Sequence, residues 1–577
     1  MTFGVSRFRR LLPVACLSLA VTNLADIVDV TIAGRILGES ALAAIQLVWP
    51  LVEFIFFIGT MIASGTSTFY FMSIGAFDKR RASQWFSNGL LIAVASGMAM
   101  VALMFIGRDA FFAYFGISEE TYGYVLPYWN WFSLQVLLSP LNIFLAALVC
   151  ADGDTRTATA AFCVEFGVNA VLSFFLCNAM GTAGCALGTV CGTVTGMIVL
   201  MTHFFRESNS FRFCLHFSPR DSWRLLSTGF PSSSTVLFTA FVFMLMNKIL
   251  AGKFGDDGLG IMSVVSISCN LMLFLYGIPN AVQPIVCLYL GEKNYPVARN
   301  VIRDALWVAA WMGTMLSVSL IAMPWLPGWV IGVTSAELGA LSSHAVRIVA
   351  GSFVFTGLGT LILSYYQYSG HPGYSMLLTL LQELVLPTAG CVLGIFAFGY
   401  NGFLVGYALA PALAMLIVFA TICIRSRRIV DPLLLPKVTA DKLNNWNIVV
   451  DEASVCRVAS EIHETLESAG MPIKVSVRAD MLVEDSLMMI KDRNPKRKVL
   501  AEVTLDMRDG VKLVFSDDGT TSSKMVDSGD TWFRAQTLGA VVKTVSDRNG
   551  AVASGFNRNE YVLLDNKTDN PQQETVK

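Results

Sequence analysis

From Leu11 to about Ile424 the chain is a succession of long apolar stretches, and this limits the folds available to it. In a bilayer every backbone polar group must be satisfied within the chain, so such stretches become spanning helices. Against that background Asp26 and Asp29, in NLADIVDVTIAGR, stand out. A carboxylate at mid-membrane depth costs several kcal/mol or keeps its proton. Packing against lipid requires none. The two carboxylates predict a site that handles an ion, a proton or a polar solute inside the bilayer.

With 54% hydrophobic and 14% charged residues in 577, this is an integral membrane protein with a soluble part attached. The net charge of −1 indicates neither an acidic nor a basic partner, and no nucleic-acid partner is expected. Most of the twelve Cys, such as Cys150, Cys163, Cys191 and Cys269, lie in apolar stretches as small hydrophobes. No metal-ligand spacing occurs, so no metal, disulfide or other cofactor is expected. The N-terminal apolar run is too long for a signal peptide and holds two Asp; it reads as a first spanning helix.

At roughly 20 residues per span the chain holds about twelve. They lie near 11–35, 42–72, 86–107, 123–150, 158–178, 184–205, 230–252, 259–290, 301–324, 341–368, 373–398 and 401–424. Basic residues gather on alternate loops, among them Arg7, Arg9, Arg10, Lys79, Arg80, Arg81, Arg206, Arg220, Lys293 and Arg425. The positive-inside rule places both termini in the cytoplasm and the protein in the cytoplasmic membrane. The halves repeat at an offset of about 216–218 residues. GAFDKRRA from Gly75 matches GEKNYPVA from Gly291, and MGTAGCALG near Gly181 matches FGYNGFLVG near Gly399. A constant offset marks a duplication. Six spans per half, an even number, give both halves one orientation, a transporter architecture.

The expected fold is an all-α polytopic membrane protein of two parallel six-helix lobes with a small cytoplasmic α/β domain. The divisions are lobe 1–205, linker 206–228, lobe 229–428, linker 429–441, α/β domain 442–566 and a disordered end 567–577. In the tail, strands are expected at NWNIVV, KVLAEVTLDM, VKLVFSDD, GAVASGF and EYVLLD. Helices are expected near 452–469, 475–491 and 533–545.

The segments VDVTIAGRILGESALAAI, LVCADGDTRTAT, FGVNAVLSFFLCNAM, TGFPSSS, MNKILAGKFG and VQPIVCLYLGEKN resemble, in order over residues 10–425, the multidrug and toxic-compound extrusion (MATE) family. The resemblance implies antiport of organic cations and other small molecules against H+ or Na+, and no enzymatic activity. It assigns the first-helix Asp to Asp29 and the fifth-helix Asn to Asn169. The family's second Asp is replaced by Ser173. Glu165, one turn before Asn169, shares its helix face and is expected to supply the missing carboxylate. Asp26 joins the coupling candidates; Ser173, Glu53, Asn247 and Glu383 are candidates for the substrate cavity. Lys248 is expected to snorkel outward, and Tyr365–Gln367 to serve packing. The tail resembles the histidine-kinase-like ATPase fold of anti-sigma-factor kinases, with degenerate nucleotide motifs at Glu484, Asp517, Gly519 and Gly539. Met488 and Met489 stand where a Mg2+-holding Asn belongs, so no nucleotide is expected there and a protein partner is. Two rival functions are a flippase for lipid-linked precursors and a membrane-tethered regulator acting through the tail. The first would want Arg and Lys in a cavity, and the spans of the first lobe are poor in both.

Overall fold

The computed structural model describes residues 2–37, 41, 45, 47–114, 119–206, 209–214, 217–331, 336–426, 431–436, 442–520, 551–553 and 556–565. In the first lobe α1 (Phe3–Leu37), α2 (Trp49–Gly75), α3 (Lys79–Ile106), the short α4 (Arg108–Tyr114), α5 (Glu119–Ala151), α6 (Thr155–Met180) and α7 (Thr182–Met201) follow one another. The second lobe comprises α8 (Pro219–Asn270), α9 (Leu273–Gly291), α10 (Tyr295–Ala322), the short α11 (Leu326–Ile331), α12 (Ala336–Ala350) and α13 (Phe353–Tyr368). It closes with α14 (Pro372–Leu380), a π-helical turn (Leu381–Val385) and α15 (Leu386–Ser426). Among the described residues nine helical segments are long and apolar enough to cross a membrane, ten when a pair bent by 42° counts as one span.

Helix starts are written locally. Asp78, Asp154 and Ser218 each accept a hydrogen bond from the backbone N–H three residues on, capping α3, α6 and α8. Proline fills the first turn of α2, α8, α10 and α14, where no N–H is needed. One boundary between spans differs from the sequence reading. α8 runs through the predicted gap between 252 and 259 and breaks after Asn270. The spans expected at 373–398 and 401–424 do meet at a break, at Gly399, whose φ of +62° is non-helical and separates two helical stretches. α1 begins at Phe3, ahead of the expected residue 11, because the Phe3 N–H is held by Asn447 Oδ1 of the tail at 2.6 Å.

The duplication is visible in the backbone. Positive φ occurs at Phe77 (56°) and Lys293 (62°), at Gly153 (92°) and Gly370 (87°), and at Gly181 (64°) and Gly399 (62°). Each pair is separated by the repeat offset. Left-handed φ is costly for a residue with a Cβ, so its recurrence at Phe77 and Lys293 marks two turns built to one plan.

The lobes are sealed together over the half of α2 that ends at the loops rich in Lys and Arg. A Cβ on Gly75 would lie 1.9 Å from the Leu288 carbonyl oxygen, one on Gly291 2.0 Å from that of Met72, and one on Gly229 2.0 Å from that of Met61. Backbone meets backbone, and only glycine fits. Polar groups stitch the same seam. Gln283 Nε2 donates to Ser64 O and Thr68 Oγ1, both at 2.9 Å, and Gln367 Nε2 donates to Ser64 Oγ at 2.7 Å.

The tail is a five-stranded antiparallel sheet of order β1-β2-β3-β5-β4, from β1 (Leu443–Val449), β2 (Leu500–Asp506), β3 (Gly510–Asp517), β4 (Ala551–Ala553) and β5 (Phe556–Asp565). Helices α16 (Glu452–Ser468) and α17 (Ile473–Arg493) cover one face, where Ile448, Val503, Leu505, Leu513 and Phe515 join a single apolar core. The helix expected at 533–545 lies outside the described residues.

Candidate functional site

Glu165 lies ten residues into α6, so ~15 Å from its start at 1.5 Å per residue. Its carboxylate is half-buried and gathers donors from two neighbouring helices. Asn142 Nδ2, on α5, reaches Oε1 and Oε2 at 3.1 and 3.3 Å, and Thr193 Oγ1, on α7, donates to Oε1 at 3.0 Å. Gln135 Nε2 donates to Thr193 Oγ1 at 3.0 Å and extends the network. None of these partners carries a charge. The pattern suits a carboxyl that exchanges a proton or a monovalent cation, because among the described residues no fixed cation is paired with it.

One and two turns on, Asn169 and Ser173 are buried, and Ser173 Oγ donates to Asn169 Oδ1 at 2.7 Å. Glu165, Asn169 and Ser173 thus line one face of α6, as their four-residue spacing required. That face meets a glycine stripe on α7. A Cβ on Gly192 would come within 2.8 Å of Asn169 Cβ and the Glu165 carbonyl oxygen, and one on Gly196 within 3.0 Å of the Glu165 side chain. Small residues every four positions let two helices approach closely. Gly184, Gly188, Gly192 and Gly196 spell that stripe in the sequence and could have placed α7, with Thr193, beside the carboxylate. Asn142, Thr193 and Gln135 were not foreseen.

The other candidates are dispersed. Asp26 and Asp29 belong to α1, but their side chains lie outside the described residues. Glu53 accepts from Trp49 Nε1 at 3.1 Å on its own helix. Asn247 and Lys248 are exposed on α8. Glu383 sits in the π-helical turn, accepting from Thr239 Oγ1 at 3.2 Å and Gln382 Nε2 at 2.8 Å. It falls at the repeat offset from Glu165, so each lobe sets a glutamate among uncharged donors at the equivalent place. π turns interrupt the helical ladder and frequently mark functional positions. Tyr365 and Tyr366 donate their hydroxyls to the carbonyls of Leu433 and Pro432, holding the linker.

At the end of α5 a second polar cluster ties the inter-lobe linker down. His203 Nε2 and Nδ1 each lie 3.0 Å from a carboxylate oxygen, of Asp152 and Asp154. Both ring nitrogens face carboxylate oxygens, an arrangement that suits the imidazolium, which donates from both. Asp152 also accepts from Ser210 Oγ at 2.5 Å, and Tyr70 OH lies 2.8 Å from Ser210 Oγ.

In the tail, Glu484 is exposed, Met488 packs against the domain core and Met489 is buried in it. Asp517 accepts from Asn557 Nδ2 and the Gly519 N–H, both at 2.9 Å. Burial pushes its carboxyl above the usual range. Thr520 is held by Asn494 Oδ1. Gly539 lies outside the described residues.

The MatE family model matches residues 15–175 and 231–393, one copy in each lobe. The chain belongs to the MatE family. It is a multi-pass membrane protein with the family's two-lobe fold. Solved structures with the same fold include the outward-facing conformation of a multidrug resistance MATE family transporter of the MOP superfamily. That structure is 20% identical, with a TM-score of 0.68 over 74% of this chain and 98% of that one. A MOP superfamily transporter from Pyrococcus furiosus, described as having a binding pocket of reverse polarity, is 19% identical, with a TM-score of 0.68 over 73% and 96%. A MATE in complex with MaD3S is 20% identical, with a TM-score of 0.67 over 73% and 96%. Among curated proteins none matches the chain.

Proposed function

We propose that this MatE-family protein is a secondary antiporter that exports small molecules, with organic cations and drugs as the substrate class, in exchange for H+ or Na+. The single observation that supports this most is the Glu165 network: a membrane-embedded carboxylate held by Asn142 and Thr193 from two further helices, with no cation paired to it among the described residues. Occupancy of such a group by a proton or Na+ changes its charge and its hydrogen bonding. It therefore biases the two lobes between states that differ in affinity for it. Asp29, on α1, is the second coupling carboxylate in this reading, and both termini face the cytoplasm. The tail domain regulates and does no chemistry.

The test is dye counterflow in proteoliposomes under an imposed H+ or Na+ gradient. Glu165→Gln and Asp29→Asn should insert normally and lose gradient-driven export, while Glu165→Gln with Ser173→Asp should recover part of it. Parental export by Glu165→Gln across a pH series would make Glu165 structural.

A further inference from the structure

The tail sheet has a second face, and its side chains are the wrong kind for a dry interior. In register across the strands lie Asn445 and Asn447 on β1, Glu502 and Thr504 on β2, Ser516 on β3 and Arg558 on β5. An antiparallel sheet with one face on its own helices normally turns such residues to water. Here Glu502 and Arg558 are 1% exposed, Thr504 2% and Ser516 3%. What covers them is the membrane domain.

The contacts reach both lobes. From the first lobe, the start of α1 supplies Phe3, whose ring meets Phe556 edge-on at 5.2 Å, and Arg7, set over both rings and 3.7 Å from Asp518. From the second lobe, Tyr289 OH donates to Glu502 Oε2 at 2.6 Å, and Asn294 Nδ2 donates to Asn445 Oδ1 at 2.7 Å. Arg508 donates to the backbone carbonyls of Lys293 and Glu292, at the end of α9. One side chain touches both lobes: Arg558 Nη2 pairs with Glu292 Oε2 at 2.7 Å while its guanidinium stacks over the Phe77 ring at 4.7 Å.

Phe77 and Lys293 are the two positive-φ residues of equivalent turns in the repeat, so the tail grips the same turn of each lobe. The turns have diverged to receive it. In the first lobe Asp78 caps its own helix through the Arg81 N–H. Its counterpart Asn294 begins α10 without capping it and gives its side chain to the tail instead.

We propose that the tail domain is a clamp on the closed face of the transporter, its polar sheet face being the docking surface and Arg558 the staple between the lobes. The inference rests on the alternating-access reading. The α2–α9 seam beneath the clamp must part for a cavity to open on this side, and a sheet bonded to both turns opposes that separation. The tail must let go of the second lobe, which supplies Tyr289, Glu292 and Asn294, in each transport cycle, so a factor that binds its polar face would set the rate.

A native thiol reports on the seam. Cys287, on α9, is fully buried, next to Leu288, whose carbonyl abuts Gly75 of α2. Its alkylation by N-ethylmaleimide in the full chain, followed by peptide mass spectrometry, measures seam opening. In Arg558→Met with Glu292→Gln, alkylation should quicken at least about tenfold, the worth of one charge-assisted hydrogen bond. In Asn294→Cys with Asn445→Cys, oxidation should slow it below the parental rate, and reductant should restore it. Parental rates in both variants overturn the clamp. If the double substitution does not fold, the cross-linked pair decides alone. Ethidium counterflow in the same vesicles separates this inference from the export reading. If oxidation protects Cys287 but no preparation moves ethidium, the clamp stands and the drug-export reading fails. If the oxidised pair moves ethidium as fast as the reduced pair, the clamp is overturned.

Discussion

Glu502 should make docking of the tail depend on pH. Its carboxyl is fully buried under the membrane domain, accepts one hydrogen bond from Tyr289 and leaves Oε1 without a partner among the described residues. Burial pushes it from the ordinary 4.5 up to about 7; Glu292 of α9 adds to the rise, while the Tyr289 hydrogen bond and Arg558 of β5 oppose it. The docked carboxyl thus holds its proton more tightly than a free one. Docking is strongest below about 4.5, weakens as pH rises toward about 7, and stays at the weaker value above that. At ~1.36 kcal/mol per pH unit the rise from 4.5 to about 7 is worth about 3.4 kcal/mol, or roughly three-hundredfold in the undocking equilibrium. Glu502→Gln keeps an acceptor for Tyr289 and removes the charge. The readout is maleimide labelling of Ser516→Cys, on the covered sheet face, with and without Glu502→Gln. Any constant cost of burying the amide cancels when the ratio of the two rates at pH 8 is compared with that at pH 5. The Gln variant should label slower relative to its parent at pH 8, by up to about two orders of magnitude, with that advantage reduced to roughly fourfold at pH 5. A ratio that does not change with pH would refute the reasoning.

Two further outcomes test the packing beneath the candidate site. Gly192→Ala drives a Cβ to 2.8 Å from Asn169 Cβ and the Glu165 carbonyl oxygen, so the melting temperature should fall by the equivalent of about 1–3 kcal/mol. Gly167→Ala, on α6 with nothing within 4 Å of the new Cβ, should leave it unchanged or raise it by helix propensity; equal behaviour of the two would remove the close-packing argument. His203→Gln leaves Asp152 buried without its cation, a loss of about 3–5 kcal/mol. Because burial already pushes the Asp152 carboxyl upward, protonation should relieve the variant, so its thermal deficit should be larger at pH 8 than at pH 5.

Much of this molecule was written in one dimension. Apolar length decided that the described residues up to Ser426 are mostly membrane helices, since a bilayer admits no unpaired backbone. The fixed repeat offset decided that there are two lobes of one plan, and the backbone repeats its left-handed turns at those positions. The four-residue spacing put Glu165, Asn169 and Ser173 on one stripe. Alternation in β2 and β3 marked the tail strands but not what lies over their polar face, because alternation distinguishes two faces and not their coverings. The rest depended on how elements meet. Asn142 and Thr193 reach Glu165 only because the α7 glycines let α6 approach, and neither residue advertises itself. Glu383 stands at the repeat offset from Glu165 in the sequence, but only the structure shows it in a π turn with Thr239 opposite. The buried polar sheet face of the tail reads in sequence as a solvated one. Tertiary structure alone shows that Tyr289, Asn294 and Phe77 cover it, because burial is a property of what lies opposite and not of the residue itself.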